Sequence, residues 1–236
     1  MKENEVILKR QSTRIFFKNG DTDFFFNWLL GIGEVFGFSH GELYYLAQQL
    51  GKSPKPDNWK SVFLSHGNYL EQKVSHSGLS EQTKAQYYLA QTYSLRSAVQ
   101  FINPFSDEYL PTVRKMETAF SNAIQSLGAP VEELSIHYQD SYLPGYYLHS
   151  GNHCPTLMMV GGGDTYREDL FYFAGYPGWM RSYNVLMVDL PGQGSNPGRG
   201  LTFDVNASIP ISQCIDWLEV RNPQLNNLAI YGVSGG

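Results

Sequence analysis

The chain has 236 residues, of which 42% are hydrophobic and 17% charged, and its formal net charge is −5. This composition is typical of a globular protein long enough for one large domain or two smaller ones. The acidic balance, without any basic run, argues against nucleic acid as a partner. The two cysteines and six scattered histidines match neither a disulfide scaffold nor a metal-binding motif, so no metal site is expected.

The N-terminal region shows no targeting or membrane-spanning pattern. The charged residues 1–5 are not followed by the apolar stretch of a signal peptide. Residues 24–38 are apolar, but they are too short and too interrupted to span a bilayer. We therefore expect a cytoplasmic protein without a membrane partner.

Helical signals fill the first part of the chain. Ser39 begins a capping box, and Gly51 is the expected stop of the helix that follows. Apolar residues at helical spacing follow Trp59, and Ser80 starts another helix. A further helix ends at residues 128–130. These signals predict an all-helical domain over residues 1–130.

From residue 131 the hydrophobic period changes to that of strands. Residues 133–138 and 145–149 alternate between apolar and polar, which predicts an antiparallel hairpin. Continuous apolar runs then predict parallel strands buried on both faces, at 156–160, 185–188 and 228–231. Helical segments at about 166–182 and 208–221 separate these strands. The predicted fold class of residues 131–236 is α/β, the front half of a doubly wound sheet. Ligands bind such sheets at the carboxyl ends of the strands, where we expect the helical domain to lie as a cap.

The last five residues carry the strongest chemical signal. Gly232-Val233-Ser234-Gly235-Gly236 follows the apolar strand and matches G-x-S-x-G, the turn that lifts a nucleophilic serine out of a sheet. Ser234 is therefore the candidate nucleophile, and it needs an adjacent base. The alternative is a glycine-rich turn with an idle serine. In this architecture the acid and the histidine follow the nucleophile, so we expect both in a longer chain that continues past residue 236.

A second glycine-rich segment, Gly161-Gly162-Gly163-Asp164-Thr165, follows the predicted strand at 156–160. Acyl transfer places negative charge on the substrate oxygen, which backbone N–H groups stabilise. One donor follows the nucleophile, here Gly235, and the other comes from this loop, as Gly162 or Gly163. Asp164 is either a substrate contact or part of a helix cap. Thr165 and Glu168 have the spacing of a capping box.

The strand at 185–188 runs into a loop, residues 189–195, whose Pro and Gly residues predict a sharp exit toward the next helix. Asp189 ends the strand and is a candidate acid. Because the acid follows the nucleophile in this architecture, a hydrogen bond to loop backbone is the favoured role. The histidines at 137, 149 and 153 lie in or beside the predicted hairpin and are expected at the surface.

Residues 160–169, 188–194 and 232–236 together resemble the α/β-hydrolases related to 2,6-dihydroxypseudooxynicotine hydrolase, and fungal polyketide-shortening hydrolases are similar. The resemblance implies an α/β-hydrolase fold with a helical cap domain, a Ser-Asp-His triad, no cofactor and frequent homodimers. It also implies cleavage of a carbon–carbon bond beside a ketone. Ser234 corresponds to the nucleophile, and Gly162 and Gly235 to the oxyanion hole. Relatives often carry Glu with Ser where this chain has Asp164-Thr165.

Several functions on a small-molecule substrate stay open. The first is a cofactor-independent serine hydrolase that cleaves either a carbon–carbon bond or an ester. The second is an acyl-transfer or cyclisation catalyst on the same fold. The third is a non-catalytic ligand-binding protein.

Overall fold

The computed structural model describes residues 13–33, 37–225 and 227–236. The chain forms two compact units, Met1–Phe101 and Ile102–Gly236. Residue 130 is the predicted end of the helical domain. In the structure, the helix before that point, α5 (Tyr109–Leu127), contributes Phe120 and Ile124 to a core cluster of the second unit.

The described part of the first unit is helical, as predicted, with four helices: α1 (Gly20–Gly33), α2 (His40–Leu50), α3 (Pro56–Val74) and α4 (Glu81–Val99). Ser39 and Ser80 are the N-caps of α2 and α4, since each hydroxyl accepts a backbone N–H three residues on, at 3.1 Å. The sequence analysis assigned no start to α1. Asn19 is the residue that could have indicated this start, because its side-chain oxygen accepts the N–H groups of Asp21 and Thr22.

The second unit contains α5 and a five-stranded mixed sheet with further helices. Its strands are β1 (Val131–Tyr138), β2 (Ser141–Leu148), β3 (Thr156–Val160), β4 (Asn184–Val188) and β5 (Leu228–Gly232). The helices between them are α6 (Arg167–Leu170), a π-helical turn (Phe171–Gly175), α7 (Tyr176–Trp179) and α8 (Ser208–Arg221). The predicted α/β class and the predicted hairpin are confirmed.

The sheet order is β1-β2-β4-β3-β5. The β1–β2 and β2–β4 pairs are antiparallel, whereas β3 is parallel to both of its neighbours. Val160 at the end of β3 pairs with Val188 of β4 and Gly232 of β5. The three loops that leave these strands therefore start side by side at one edge of the sheet.

β3 and β4 are buried on both faces, as their apolar runs predicted. The same prediction is wrong for β5, whose residues are mostly exposed in the part of the chain that the structure describes, because it pairs only with β3. Met158 belongs to a cluster with Cys214 and Leu218 of α8. Its neighbour Met159 belongs to another cluster, with Phe120 of α5 and Phe171 of the π-helical turn. Successive side chains of a strand point to opposite faces, so helices cover both sides of the sheet at β3.

The predicted capping box at Thr165 and Glu168 is wrong by one residue. The carboxylate of Asp169 accepts the N–H of Tyr166 at 2.9 Å, which makes Tyr166 the N-cap of α6. Thr165 is used differently, because its hydroxyl accepts the N–H of Gly162 at 3.1 Å. Glu168 is buried and accepts the Tyr146 hydroxyl at 2.8 Å.

Candidate active site

Ser234 lies in the turn that follows β5 and has a φ of +58°. This left-handed conformation is uncommon for a residue with a Cβ and marks local strain, as in a nucleophile elbow. Two backbone hydrogen bonds hold the turn: Val233 N–H donates to Val160 O at 3.1 Å, and Gly236 N–H to Val233 O at 3.0 Å. The Ser234 side chain is exposed, and its hydroxyl has no hydrogen-bond partner within the described residues.

The two outer glycines of the motif are required by close backbone packing. A Cβ on Gly232 would lie 2.6 Å from Gly236 O, and one on Gly236 would lie 2.5 Å from Val160 O. Neither neighbour is a flexible side chain, so any other residue would displace the turn. The glycine spacing read from the sequence thus has a steric cause in the structure.

The structure places the loop after β3 directly against Ser234. A Cβ on Gly162 would lie 2.6 Å from Ser234 Cβ and 3.0 Å from its Oγ. A glycine at this position therefore lets the loop backbone approach the hydroxyl without a side chain between them. The two glycine-rich motifs, about 70 residues apart in the sequence, meet at one point because β3 and β5 are parallel neighbours.

The amide groups near Ser234 differ in their availability. The Gly162 N–H already donates to Thr165 Oγ1 at 3.1 Å. Over residues 13–33, 37–225 and 227–236, the N–H groups of Gly163 and Gly235 have no acceptor. Of the two loop glycines that the sequence left open, Gly163 thus has the free donor, although the oxyanion roles of Gly162, Gly163 and Gly235 stay predictions. Asp164 is exposed beside Gly163, and its role as a substrate contact also stays a prediction.

Gln193, in the loop after β4, connects this loop to the loop after β3 by hydrogen bonds. Its side chain is buried, since the residue is 4% exposed. Its side-chain Nε2 donates to Gly161 O and, at 3.1 Å, to Gly162 O. Its Oε1 accepts the Leu190 N–H at 2.9 Å. No role was predicted for Gln193. Its only sequence signal is a long polar side chain between two glycines in the loop that follows a buried strand.

Asp189 is buried and hydrogen-bonds the backbone, which is the role that the sequence favoured. Its Oδ1 accepts the N–H of Arg167 at 2.8 Å. Gly194 packs so closely on this carboxylate that a Cβ there would overlap it. Asn196 holds the same loop, because its Nδ2 donates to the carbonyl groups of Asp189 and Leu190, both at 2.9 Å.

A buried charged cluster lies behind these loops, and the sequence analysis did not find it. Arg167 is 6% exposed, and its guanidinium lies 2.9 Å from Glu117, 3.3 Å from Glu168 and 3.8 Å from Asp189. It also lies over the Tyr146 ring, 4.5 Å from the centroid. Burial raises the pKa of Glu168 to about 7 and the pKa of Asp189 well above its ordinary value, although Arg167 opposes both shifts.

The raised pKa of Glu168 predicts a pH-dependent stability that Glu168→Gln removes. The folded protein favours the protonated carboxyl, so the contribution of Glu168 to stability is complete below pH 4.5 and is lost as the pH rises through about 7. Glutamine imitates the protonated form and cannot ionise. We measure the free energy of unfolding of both proteins by urea denaturation. The value for the variant minus the value for the wild type should increase as the pH rises from 4.5 to 7. A constant difference across this range would contradict the shift.

The histidines at 137, 149 and 153 are exposed, as predicted. Within the part of the chain that the structure describes, no group of His, Cys, Asp and Glu residues is arranged to hold a metal ion. In the same part, every helix is too short or too polar to cross a membrane.

Comparisons with known proteins match this architecture. No protein-family profile matches the chain. Hydrolyase ccsE of Aspergillus clavatus is 27% identical over 88% of this chain and 54% of its own length. Alpha/beta hydrolase psoB of Aspergillus fumigatus is 28% identical over 90% of this chain and 48% of its own length. The crystal structure of 2,6-dihydroxy-pseudo-oxynicotine hydrolase superposes with a TM-score of 0.65 and 19% identity, over 86% of this chain and 57% of that one.

The fold is that of the α/β-hydrolases, and the chain carries a five-stranded part of it that ends at the glycine-rich turn around Ser234. The particular resemblance inferred from the motifs is also confirmed, since 2,6-dihydroxy-pseudo-oxynicotine hydrolase is a structural neighbour and the curated relative psoB is named an alpha/beta hydrolase. The chain spans about half the length of the curated relatives it matches.

Proposed function

We propose that this protein is a cofactor-independent serine hydrolase that acts on a carbonyl substrate through an acyl-enzyme. The observation that carries the proposal is the position of Ser234, which has a left-handed φ and lies in contact distance of the Gly162 backbone. A strained, exposed serine beside amide groups that have no acceptor among the described residues is the arrangement that acyl transfer requires. The relative named alpha/beta hydrolase psoB supports the same reaction class.

The proposed reaction follows from these groups. Ser234 Oγ attacks the substrate carbonyl carbon while a general base, which we propose to be a histidine, accepts the hydroxyl proton. The N–H groups of Gly163 and Gly235 stabilise the negative charge on the carbonyl oxygen. The tetrahedral intermediate collapses, and the leaving group departs with the proton that the histidine holds. Water then attacks the acyl-enzyme by the same route and releases a carboxylic acid and free Ser234.

We propose a ketone-bearing aromatic or polyketide-like compound as the substrate, with a carbon leaving group. A carbanion leaves only when an adjacent carbonyl or aromatic hydroxyl group delocalises its charge. The support is the structural neighbour whose title names it as the hydrolase of 2,6-dihydroxy-pseudo-oxynicotine, a dihydroxylated compound. Ester hydrolysis uses the same Ser234 chemistry and serves as the assay reaction below.

Ser234→Ala in the complete protein should abolish hydrolysis of p-nitrophenyl acetate and covalent labelling by a fluorophosphonate probe. Both reactions need the serine oxygen as nucleophile. The matched control is Ser182→Ala, because Ser182 also has a left-handed φ, of +64°, but lies in the turn before β4, at the opposite edge of the sheet. The control should keep wild-type rates. Labelling of Ser234→Ala at the wild-type rate would refute the proposal.

A further inference from the structure

Gln193 is a buried side chain whose hydrogen bonds converge on the glycine loop beside Ser234. One amide group contacts three peptide units: Nε2 donates to Gly161 O and Gly162 O, while Oε1 accepts Leu190 N–H. The loop that carries Gln193 is itself held, since Asn196 N–H donates to Gln193 O at 3.0 Å and Asn196 Nδ2 donates to Leu190 O at 2.9 Å. The side chain therefore connects the loops after β3 and β4 rigidly.

The two carbonyl groups that Gln193 holds decide where two N–H groups point. In a trans peptide the C=O and the N–H of one unit point in opposite directions, and no described peptide bond is cis. Gly162 O shares its peptide unit with the Gly163 N–H. A hydrogen bond from Gln193 to Gly162 O thus directs the Gly163 N–H away from Gln193. By the same geometry, the hydrogen bond from Gln193 to Gly161 O directs the Gly162 N–H away from Gln193. This N–H donates to Thr165 Oγ1.

Gln193 shares this constraint with Thr165, whose N–H donates to Gly162 O at 3.3 Å, and both bonds matter because three successive glycines restrict their own backbone very little. Glycine populates positive and negative φ about equally, so a peptide unit between two glycines rotates at small cost. A rotated Gly162–Gly163 unit would present a carbonyl oxygen where the N–H now lies. That oxygen would repel a developing oxyanion instead of stabilising it.

We propose that Gln193 is a positioning residue that holds the Gly162–Gly163 peptide unit with its N–H directed into the oxyanion hole. The inference rests on the proposed function, because it gives that N–H its catalytic use. Gln193 itself touches backbone only and acts through Gly163.

The test compares Gln193→Met and Gln193→Glu in the complete protein. Methionine keeps a similar length but donates and accepts no comparable hydrogen bond. Glutamate keeps the acceptor for Leu190 N–H and places an oxygen against the two carbonyl groups. With p-nitrophenyl acetate we expect kcat to fall about 10²-fold in both variants, the size of effect found when one oxyanion donor is lost, with KM changing little. Gln224→Met, at an exposed position, is the control and should keep wild-type kinetics.

A second readout separates positioning from general stability. Phenylboronic acid forms a tetrahedral adduct with a reactive serine and places an oxygen in the oxyanion hole. Its inhibition constant should rise in the Gln193 variants by about the factor by which kcat/KM falls, because both report the same N–H. Folded variants that keep wild-type kcat and boronate affinity would overturn the inference. Failure of both variants to fold, judged by circular dichroism, would also overturn it, since the role of Gln193 would then be structural.

The same experiment distinguishes this inference from the proposed function. If the wild type hydrolyses the ester through Ser234 but the Gln193 variants do so equally well, only the inference is wrong. If wild type and Ser234→Ala behave identically, the proposed function is wrong, and the inference is wrong with it.

Discussion

Gly162→Ala is expected to reduce kcat/KM for p-nitrophenyl acetate by at least about 100-fold in the complete protein. The added methyl carbon would lie 2.6 Å from Ser234 Cβ and 3.0 Å from both Ser234 Oγ and Val233 O. These atoms belong to a strained turn and to backbone, so they cannot move aside without shifting the hydroxyl. A displacement of about 1 Å at a reacting group costs on the order of 10²-fold in rate.

Gly31→Ala is the matched control for this substitution. Gly31 lies in α1, and a Cβ there would meet no atom within 4 Å. Activity should be unchanged, and stability should rise by up to ~1 kcal/mol because alanine is the better helix former. The measurements are steady-state kinetics and thermal unfolding of both variants. A Gly162→Ala protein with wild-type kcat/KM would show that the loop after β3 does not contact the reacting hydroxyl.

Arg167→Met is expected to lower the free energy of unfolding by about 3–5 kcal/mol, the usual cost of removing one partner from a buried ion pair. Methionine fills a similar volume but leaves the carboxyl groups of Glu117, Glu168 and Asp189 without a cation. Glu168 and Asp189 are 1–2% exposed, so water cannot replace the guanidinium. Asp189 and Arg167 also join the loop after β4 to the start of α6, so we expect the site loops to loosen as well.

Arg221→Met is the control for the buried arginine. Arg221 lies 3.2 Å from Glu132 and 6.0 Å from the centroid of the Tyr147 ring, but its side chain and that of Glu132 are about half exposed. Exposed ion pairs contribute about 0–1 kcal/mol, so this variant should unfold close to the wild type in urea. Equal losses for the two variants would mean that the buried cluster is no more important for stability than a surface pair.

The secondary structure was predictable where the determining signals are local. The continuous apolar runs of β3 and β4 predict buried parallel strands because both faces of these strands need apolar cover. Ser39 and Ser80 predict helix starts because each cap acts within three residues. Thr165 does not follow the capping rule. Its hydroxyl has the spacing of a cap, yet it accepts Gly162 N–H, and Asp169 serves Tyr166 instead.

The buried charges were not predictable from composition or spacing. Arg167, Glu168 and Asp169 form a charged run that in most sequences lies at the surface. They are buried here because Tyr146, Glu117 and Asp189, which lie 20 to 50 residues away in the sequence, supply the hydrogen bonds and opposite charges. Partners at such separations come together only when the sheet and α5 pack.

The amino-acid order alone was sufficient for the α/β class, the order of the strands and the glycine-rich turn around Ser234, since periodicity and glycine spacing act over a few residues. The folded sheet decided which backbone groups meet there. It placed Gly162 against Ser234 and occupied the Gly162 N–H with Thr165, whereas the Gly163 N–H has no acceptor within residues 13–33, 37–225 and 227–236. It also brought Gln193 to carbonyl groups 31 and 32 residues earlier. These contacts depend on the parallel pairing of β3 with β4 and β5, which joins segments that no local pattern relates.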